Sequence, residues 1–324
     1  MDHDPNEPRP SRPGAVTAHE PGGTTPATPG QGPDRVDPVD EVDEDELDAR
    51  WGFAPSEPLV GHGAPPVVAV VVTRDPGEWF EDALRSLGEQ DYGDLSVLVI
   101  DNGSEVDPTP RIAEVLPTAY VKRLGEDRGF SAAANESLTA VEGSAFHLVL
   151  HDDVRLDPDA VTQLVSEAFR ANAGIVGPKL VDWDDRGRLV SAGYSVDTYG
   201  HATEVVEPGE LDQSQHDTPR EVFALSDACL LVRSDLFRTL GGFSEDLPYF
   251  GEDVDLCWRA HVAGATVRFC PAAVAAHRNR FGERRAVEDR ERLELRHEAR
   301  STFTNYEPFR VLRLLPAVVV LSLV

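Results

Sequence analysis

Apolar residues between positions 65 and 185 fall into short unbroken runs separated by amphipathic stretches. VVAVVVT at 67–73 is almost wholly β-branched, the pattern of a strand buried on both faces. LSVLVID at 95–101 repeats it, TAYVKRL at 118–124 is a weaker third strand, and AFHLVLHDD at 145–153 is a fourth that ends in acids. AGIVGPKLV adds a further strand. Between them, DPGEWFEDALRSLGEQ spaces its apolar residues for a helix, with Asp75 placed to cap it and Pro76 at its first position. GFSAAANESLTAVEG reads as a helix closed at Gly143, and DPDAVTQLVSEAFRAN as one capped by Asp157 and opened by Pro158. Strands alternating with helices of this length predict right-handed βαβ units: an α/β fold with a mostly parallel central sheet flanked by helices.

The pattern changes after residue 185. RLVSAGYSVDTYGHATEVV alternates and turns like a small β-hairpin or meander inserted in the fold. SDLFRTLGG predicts a short helix capped by Ser234 and closed by Gly241 and Gly242. EDVDLCWRAHVAG predicts a helix with Val254, Cys257, Trp258 and Val262 on one face, ending at Gly264. ATVRFCP reads as a short strand, and ERRAVEDRERLELRHEARSTF as a charged amphipathic helix. No internal repeat is present.

The two ends differ from this core. Residues 1–60 hold 14 acidic residues against four arginines, with many Pro and Gly and no long apolar run. Such a segment buries too little apolar surface to offset its chain entropy, so residues 1–64 are expected to be a disordered acidic tail. Its DEVDEDELDAR run suits solvation or a weak partner-binding motif. The net charge of −28 argues against non-specific nucleic-acid binding. Cys229, Cys257 and Cys270 form no C-x-x-C pair and predict reduced thiols in a cytosolic compartment. VLRLLPAVVVLSLV at 311–324 is apolar to the last residue but too short to span a bilayer. It reads as the start of a truncated transmembrane segment, or as a terminal helix that docks on the domain or a partner. With Arg310, Arg313 and the Arg-rich 278–300 stretch, the positive-inside rule expects this side at the cytoplasmic face of the plasma membrane. The expected order is tail, a domain over 65–285, a juxtamembrane helix over 286–310, and the apolar segment.

Candidate chemistry follows from the strand ends, where open α/β sheets bind ligands. Thr73 and Arg74 follow the first strand, DNGS (101–104) ends the second, DRGFSAAAN (127–135) follows the third, and HDDV (151–154) follows the fourth. Asp101 suits either a ribose or base edge, or an Asx-turn into the next segment. Gly129 permits close approach of a ligand to a helix N-terminus, and Arg128 suits either a phosphate or solvent. No dinucleotide fingerprint is present. Acids directly after a buried strand suggest a site for Mg²⁺ or Mn²⁺, and because Asp157 is placed to cap the next helix, Asp153 is the candidate ligand. Glu252, Asp253 and Asp255, three acids in four residues at a helix start, serve either as a solvated helix N-terminus or as the seat of a catalytic base. The macrodipole there favours the carboxylate form of Asp253.

VVVT, VIDNGS, GFSAAAN, HDDVRLDPDA, LGGFSEDLPYFGEDVDLCWR and AAVAAHRNRFG occur in the order and at the spacing of family 2 glycosyltransferases with the GT-A fold. The resemblance covers about residues 66–285 and is closest to the branch that transfers rhamnose or galactofuranose in bacterial cell-surface glycan assembly. It implies that Asp153 ends the metal motif, with His151 standing where that motif has its first Asp, and that His277 completes the metal site with Mn²⁺ or Mg²⁺. It implies that Thr73, Arg74, Asp101 and Asn102 contact the nucleotide, with Arg128, Gly129, Asn135 and Asp152 also on the nucleotide sugar. Ala134 replaces a basic residue often found before that Asn, which leaves the pyrophosphate to Arg128 or the cation. The ED of FGEDVD implies that Asp253, beside Glu252, is the general base. The Q-x-x-R-W pattern of processive synthases is absent, which favours addition of one or a few sugars. The implied activity is an inverting, metal-dependent transfer from a nucleotide-diphosphate sugar to a hydroxyl of a glycan or lipid-linked acceptor. The alternatives are a sugar nucleotidyltransferase, whose Gly-rich basic loop after the first strand is missing from VVVTRDPGEWF, and a degenerate module that binds a nucleotide sugar without catalysis.

Overall fold

The computed structural model describes residues 63–198, 200–279, 290–307 and 309. The acidic tail up to residue 62 and the apolar run at 311–324 lie outside the described residues. Among the described residues no helix is long and apolar enough to cross a membrane.

In chain order the elements are β1 (Val67–Thr73), α1 (Phe80–Gly88), β2 (Leu95–Asp101), α2 (Thr109–Val115), β3 (Tyr120–Arg123), α3 (Gly129–Asn135), α4 (Ser137–Ala140), β4 (Phe146–His151), β5 (Val154–Leu156), α5 (Ala160–Arg170), β6 (Ile175–Asp182), β7 (Leu189–Ser191), β8 (Tyr194–Val196), β9 (Ala202–Glu204), β10 (Arg220–Glu221), β11 (Cys229–Arg233), α6 (Ser234–Thr239), α7 (Glu252–Val262), β12 (Val267–His277) and α8 (Arg290–Asn305). One large sheet has the order β10-β12-β6-β11-β4-β1-β2-β3, with β5 on β12 and β7 on β6, while β8 and β9 form a separate hairpin. The strands β3, β2, β1 and β4 are parallel to one another. β11 then runs antiparallel to both β4 and β6, and β6 and β12 are parallel to each other. The parallel half matches the buried apolar runs; the rest of the sheet is mixed.

Helices α1 and α5 lay Phe80, Leu84, Val161 and Leu164 on Val71, Leu148 and Leu150 of the sheet, forming one apolar core. Several local expectations differ from this arrangement. Asp75 does not cap α1, which starts later, at Phe80. Its backbone lies in the left-handed region (φ 47°), its amide donates to Ser104 Oγ (2.8 Å), and its Oδ1 accepts from Glu105 N (2.8 Å). A short polar side chain thus ties two strand-end loops together instead of opening a helix. Asp157 is paired with Arg186 at 2.7 Å, and no side chain caps α5. Ser234 lies inside α6, where its hydroxyl meets the buried His147 Nδ1 (2.8 Å) and Ser144 Oγ (3.0 Å). The helix over 129–143 is two pieces that meet at Glu136, and Val262 at the end of α7 is exposed.

Two features position the site. β1, β2 and β4 end level, with Thr73 beside Asp101 and Val72 beside His151, so the loops after them share one edge. β12 is much longer than ATVRFCP implies: a register shift between Cys270 and Val274 bends it, and it continues to His277, paired with Val154 of β5.

Candidate active site

A cavity of about 1260 Å³ opens at the carboxyl ends of β1, β2 and β4. The strand-end loops form one wall, the start of α7 a second, and the β8–β9 hairpin with residues 206–209 a third. Asp153 and Asp253, a hundred positions apart, both line it.

His151, Asp153 and His277 come together at the strand-end wall and form a group able to hold a metal ion, with one ligand atom each inside a span of 4.8 Å. Asp153 Oδ1 lies 3.3 Å from His277 Nε2 and 4.0 Å from His151 Nδ1. Ligands around one octahedral cation sit roughly 3 Å apart, so modest closure suffices. The other nitrogen of His151, Nε2, faces Asp227 Oδ2 at 3.4 Å. A carboxylate in that place orients the imidazole, and Nδ1 would serve a cation once it gives up its proton. The loop before β11 is responsible: Ala228 O accepts from His151 N (3.1 Å), which fixes Asp227 beside the ring. Burial works against a charged His151, but Asp227, helped by Asp153 and Asp152, outweighs it and raises the imidazole to about 9. Burial likewise would raise Asp227, and His151 beside it wins, holding that carboxyl below its ordinary value.

At the opposite wall, Gly251 ends the approach loop in the left-handed region (φ 86°) and α7 begins at Glu252. Burial, then Asp227 and Asp253, push Glu252 well above the usual carboxylate range. Asp253 rises to about 8, first through burial and then through Asp227, with Glu204 of β9 adding to it. Its Oδ1 accepts from Val254 N at 2.7 Å. The preference of a helix N-terminus for a carboxylate is therefore outweighed here by desolvation and by neighbouring acids. Glu204 itself is raised to about 7 by burial, against the hydrogen bond from Ser191 Oγ (3.1 Å).

The donor residues selected from the sequence divide. Thr73, Arg74, Asn102 and Asp152 line the cavity; Asp101, Arg128, Gly129 and Asn135 do not. Thr73 Oγ1 donates to Asp152 Oδ2 at 2.6 Å, which ties the ends of β1 and β4 together. Asp101 is fully buried; its Oδ1 accepts from Ser104 N (3.0 Å) and its Oδ2 from Arg123 (2.7 Å), so the Asx-turn is the arrangement present. Arg128 pairs with Glu136 on the surface. Gly129 (φ 81°) serves close packing, since a Cβ there would lie 2.6 Å from Pro248 Cβ. Asn135 is a brace: its Nδ2 donates to Phe243 O and its Oδ1 accepts from Phe243 N, both at 2.8 Å. Asn135→Ala is expected to cost about 2–3 kcal/mol of stability by leaving both Phe243 groups unpaired, with nucleotide-sugar affinity unchanged; urea unfolding and calorimetric titration check the two halves.

Sequence reading also missed Asp127. Its carboxylate takes Asn102 Nδ2 (2.9 Å), Tyr249 OH (2.5 Å), Gly129 N (3.0 Å) and the Arg74 guanidinium. It joins the strand-end wall to the loop before α7. Nothing local marks it, because its partners come from three distant segments. Asp227 left a faint trace as an acid just before the apolar run CLLVR. Among the described residues nine carboxylates and two arginines, Arg74 and Arg188, line the cavity, so an anionic ligand meets repulsion from these side chains unless a cation accompanies it.

A curled α/β sheet with a cavity at its strand ends, a His–Asp group on one wall and an acidic helix start on the other has the form of a GT-A glycosyltransferase. The structure is similar to GalNAc-T7 crystallised with UDP, GalNAc and Mn²⁺, with a TM-score of 0.56 and 14% identity over 65% of this chain and 43% of that one. It is similar too to residues 1–349 of TarS from S. aureus in complex with UDP, with a TM-score of 0.52 and 18% identity over 73% of this chain and 65% of that one. At these identities the likeness is one of fold. Residues 65–307 match the profile "Glycosyltransferase like family 2", and the chain belongs to that family. A relative in Mycobacterium tuberculosis H37Rv, N-acetylglucosaminyl-diphospho-decaprenol L-rhamnosyltransferase, is 31% identical over 65% of this chain and 75% of its own length. The O-antigen biosynthesis protein RfbC of Myxococcus xanthus is 29% identical over 69% of this chain and 18% of the relative. Protein y4gI of Sinorhizobium fredii is 29% identical over 66% of this chain and 24% of the relative, so the chain spans a quarter or less of these two proteins.

Proposed function

We propose that the chain is an inverting, cation-dependent glycosyltransferase that moves a sugar from a nucleoside-diphosphate sugar to a hydroxyl of a lipid-linked or cell-envelope glycan, at the cytoplasmic face of the plasma membrane. The observation that carries this reading is one cavity lined by both the His151–Asp153–His277 group and the Glu252–Asp253 helix start. The rhamnosyltransferase relative supports a deoxyhexose donor and a diphospho-polyprenol acceptor as the first substrates to try.

In the proposed step, Asp253 accepts the proton of the acceptor hydroxyl while its oxygen bonds to the anomeric carbon from the face opposite the diphosphate. The bond from that carbon to the phosphate oxygen breaks, and the nucleoside diphosphate leaves with the electron pair. A basicity raised by burial suits Asp253 for this task. His151, Asp153 and His277 would hold a divalent cation, which when bound would supply positive charge at the departing diphosphate. Two imidazoles and one carboxylate favour Mn²⁺ over Mg²⁺, which prefers oxygen ligands. Thr73 and Asp152 set the edge of the donor site, and Asp127 keeps Arg74 and Asn102 in place beside it.

Thermal shift with Mn²⁺ and a panel of UDP-, dTDP- and GDP-sugars tests the reading. One sugar nucleotide at a hundred times its Kd, with Mn²⁺, is expected to raise Tm by about 5–10 °C. Stabilisation by a nucleoside triphosphate with a sugar phosphate instead points to a nucleotidyltransferase and rejects the proposal.

A further inference from the structure

The loop that delivers Asp253 is strained, and a helix from outside the cavity holds it. Phe250 and Gly251 both lie in the left-handed region, at φ 64° and 86°. Glycine adopts that backbone freely, but a phenylalanine there is disfavoured and persists only when its surroundings over-determine it. The next residue is the first of α7, so this turn sets the direction in which Glu252 and Asp253 face the cavity.

Contacts on two sides fix the turn. On the strand-end side, Tyr249 OH donates to Asp127 Oδ1 (2.5 Å) and Pro248 O accepts from Phe130 N (2.9 Å). On the other side lies α8, where the buried His297 donates from Nδ1 to Phe250 O at 2.8 Å. A Cβ on Gly251 would sit 3.5 Å from His297 Cβ, so the His297 side chain lies directly beside the turn. α8 is itself anchored at both neighbouring walls. Asn305 Nδ2 donates to Asp255 Oδ1 of α7 (3.1 Å), and Tyr306 meets Trp258 edge to face at 4.8 Å. Arg300 pairs with Asp246 in the approach loop. Thr302 lies so close to Gly200, in the turn of the β8–β9 hairpin, that a Cβ there would come within 2.2 Å of its Oγ1. One helix therefore spans the α7 wall and the hairpin wall, and His297 is its contact with the strained turn.

We infer that His297 is a positioning residue for the transfer step: its hydrogen bond to Phe250 keeps the turn that aims Asp253 into the cavity. His297 does not line the cavity and acts only through this backbone. The inference rests on the proposed role of Asp253, and one experiment separates the two. His297→Ala and His297→Asn are made in the full chain; the asparagine keeps a side-chain N–H donor. Backbone hydrogen exchange is followed over 246–254 and over β1, β2 and β4. Donor turnover with Mn²⁺, to acceptor or to water, is measured for kcat and KM with the same UDP-, dTDP- and GDP-sugar panel. In His297→Ala, exchange over 246–254 is expected to rise tenfold or more with the strands unchanged. There kcat falls 10- to 100-fold with KM for the donor within twofold, and His297→Asn recovers most of both changes. Unaltered exchange over 246–254 overturns the inference, as does a loss of turnover that tracks faster exchange of the strands. If the unsubstituted chain turns over none of the sugars, the reading of the reaction fails, and the exchange arm still decides whether His297 holds the turn.

Discussion

Asp253→Asn is expected to reduce sugar transfer by roughly a hundred- to ten-thousand-fold, the range contributed by a positioned proton acceptor, while donor affinity stays within about twofold. The amide keeps the oxygen that accepts from Val254 N, so the first turn of α7 has no reason to shift. What it loses is the capacity to take a proton. The same substitution is expected to stabilise the fold. The folded pKa of Asp253, about 8, lies above the ordinary 3.8 because of burial, then Asp227 of the loop before β11, then Glu204 of β9. Glu252 beside it and Tyr194 of β8 are raised too, so these neighbours offer no compensating positive charge. A group raised in this way contributes stability that is present below pH 3.8 and is lost as pH climbs toward 8. Removing it should therefore raise Tm most at and above pH 8 and least near pH 4, as measured by thermal unfolding across that window. Inactivity with a gain in stability separates a missing base from a damaged fold. Transfer that survives Asp253→Asn at the original rate removes Asp253 from the role.

The sequence made the parallel half of the sheet plain and left the other half obscure, for a physical reason. β1, β2 and β4 are buried on both faces, and a run of apolar residues with few polar breaks is the local signature of that burial. β11 is equally buried, but its run follows a polar loop and its antiparallel insertion between β4 and β6 is decided by pairing alone. β12 looked finished at Pro271 because proline normally interrupts a ladder; the register shift carries the strand past it to His277. The site divides the same way. Asp153 and the Glu252–Asp253 pair stand out as acids abutting apolar elements. Asp127, Asp227 and the pairing of His151 with Asp227 arise from contacts between distant segments, and no spacing rule encodes them. Asp75 and Ser234 were misread for the converse reason. Each is followed by a plausible helix start, yet a tertiary partner, Glu105 N for one and His147 for the other, claims the side chain.

His151 also makes the cation site open to a sharp test. Asp153→Ala and His277→Ala each remove one of three candidate ligand atoms, and each is expected to weaken Mn²⁺ binding by about 100-fold or more, with the Mn²⁺-dependent part of the donor's thermal stabilisation lost. Nucleotide-sugar stabilisation measured with chelator present should be the same in variant and unsubstituted chains, because neither side chain is needed to hold the base or ribose. His151→Asp is the more informative change. It places oxygen where an imidazole nitrogen stands and converts a two-nitrogen, one-oxygen set into one with two carboxylates. Hard oxygen donors favour Mg²⁺, so the ratio of Mn²⁺ to Mg²⁺ affinity should fall at least tenfold. The shorter side chain also withdraws from Asp227, which lies 3.4 Å from His151 Nε2 and would lose the partner that keeps it ionised. That loss is expected to lower stability, and Asp227→Asn in the same chain should restore it without returning the Mn²⁺ preference. An unchanged metal ratio in the double variant would place the cation elsewhere in the cavity and leave the pairing of His151 with Asp227 as a structural bond only.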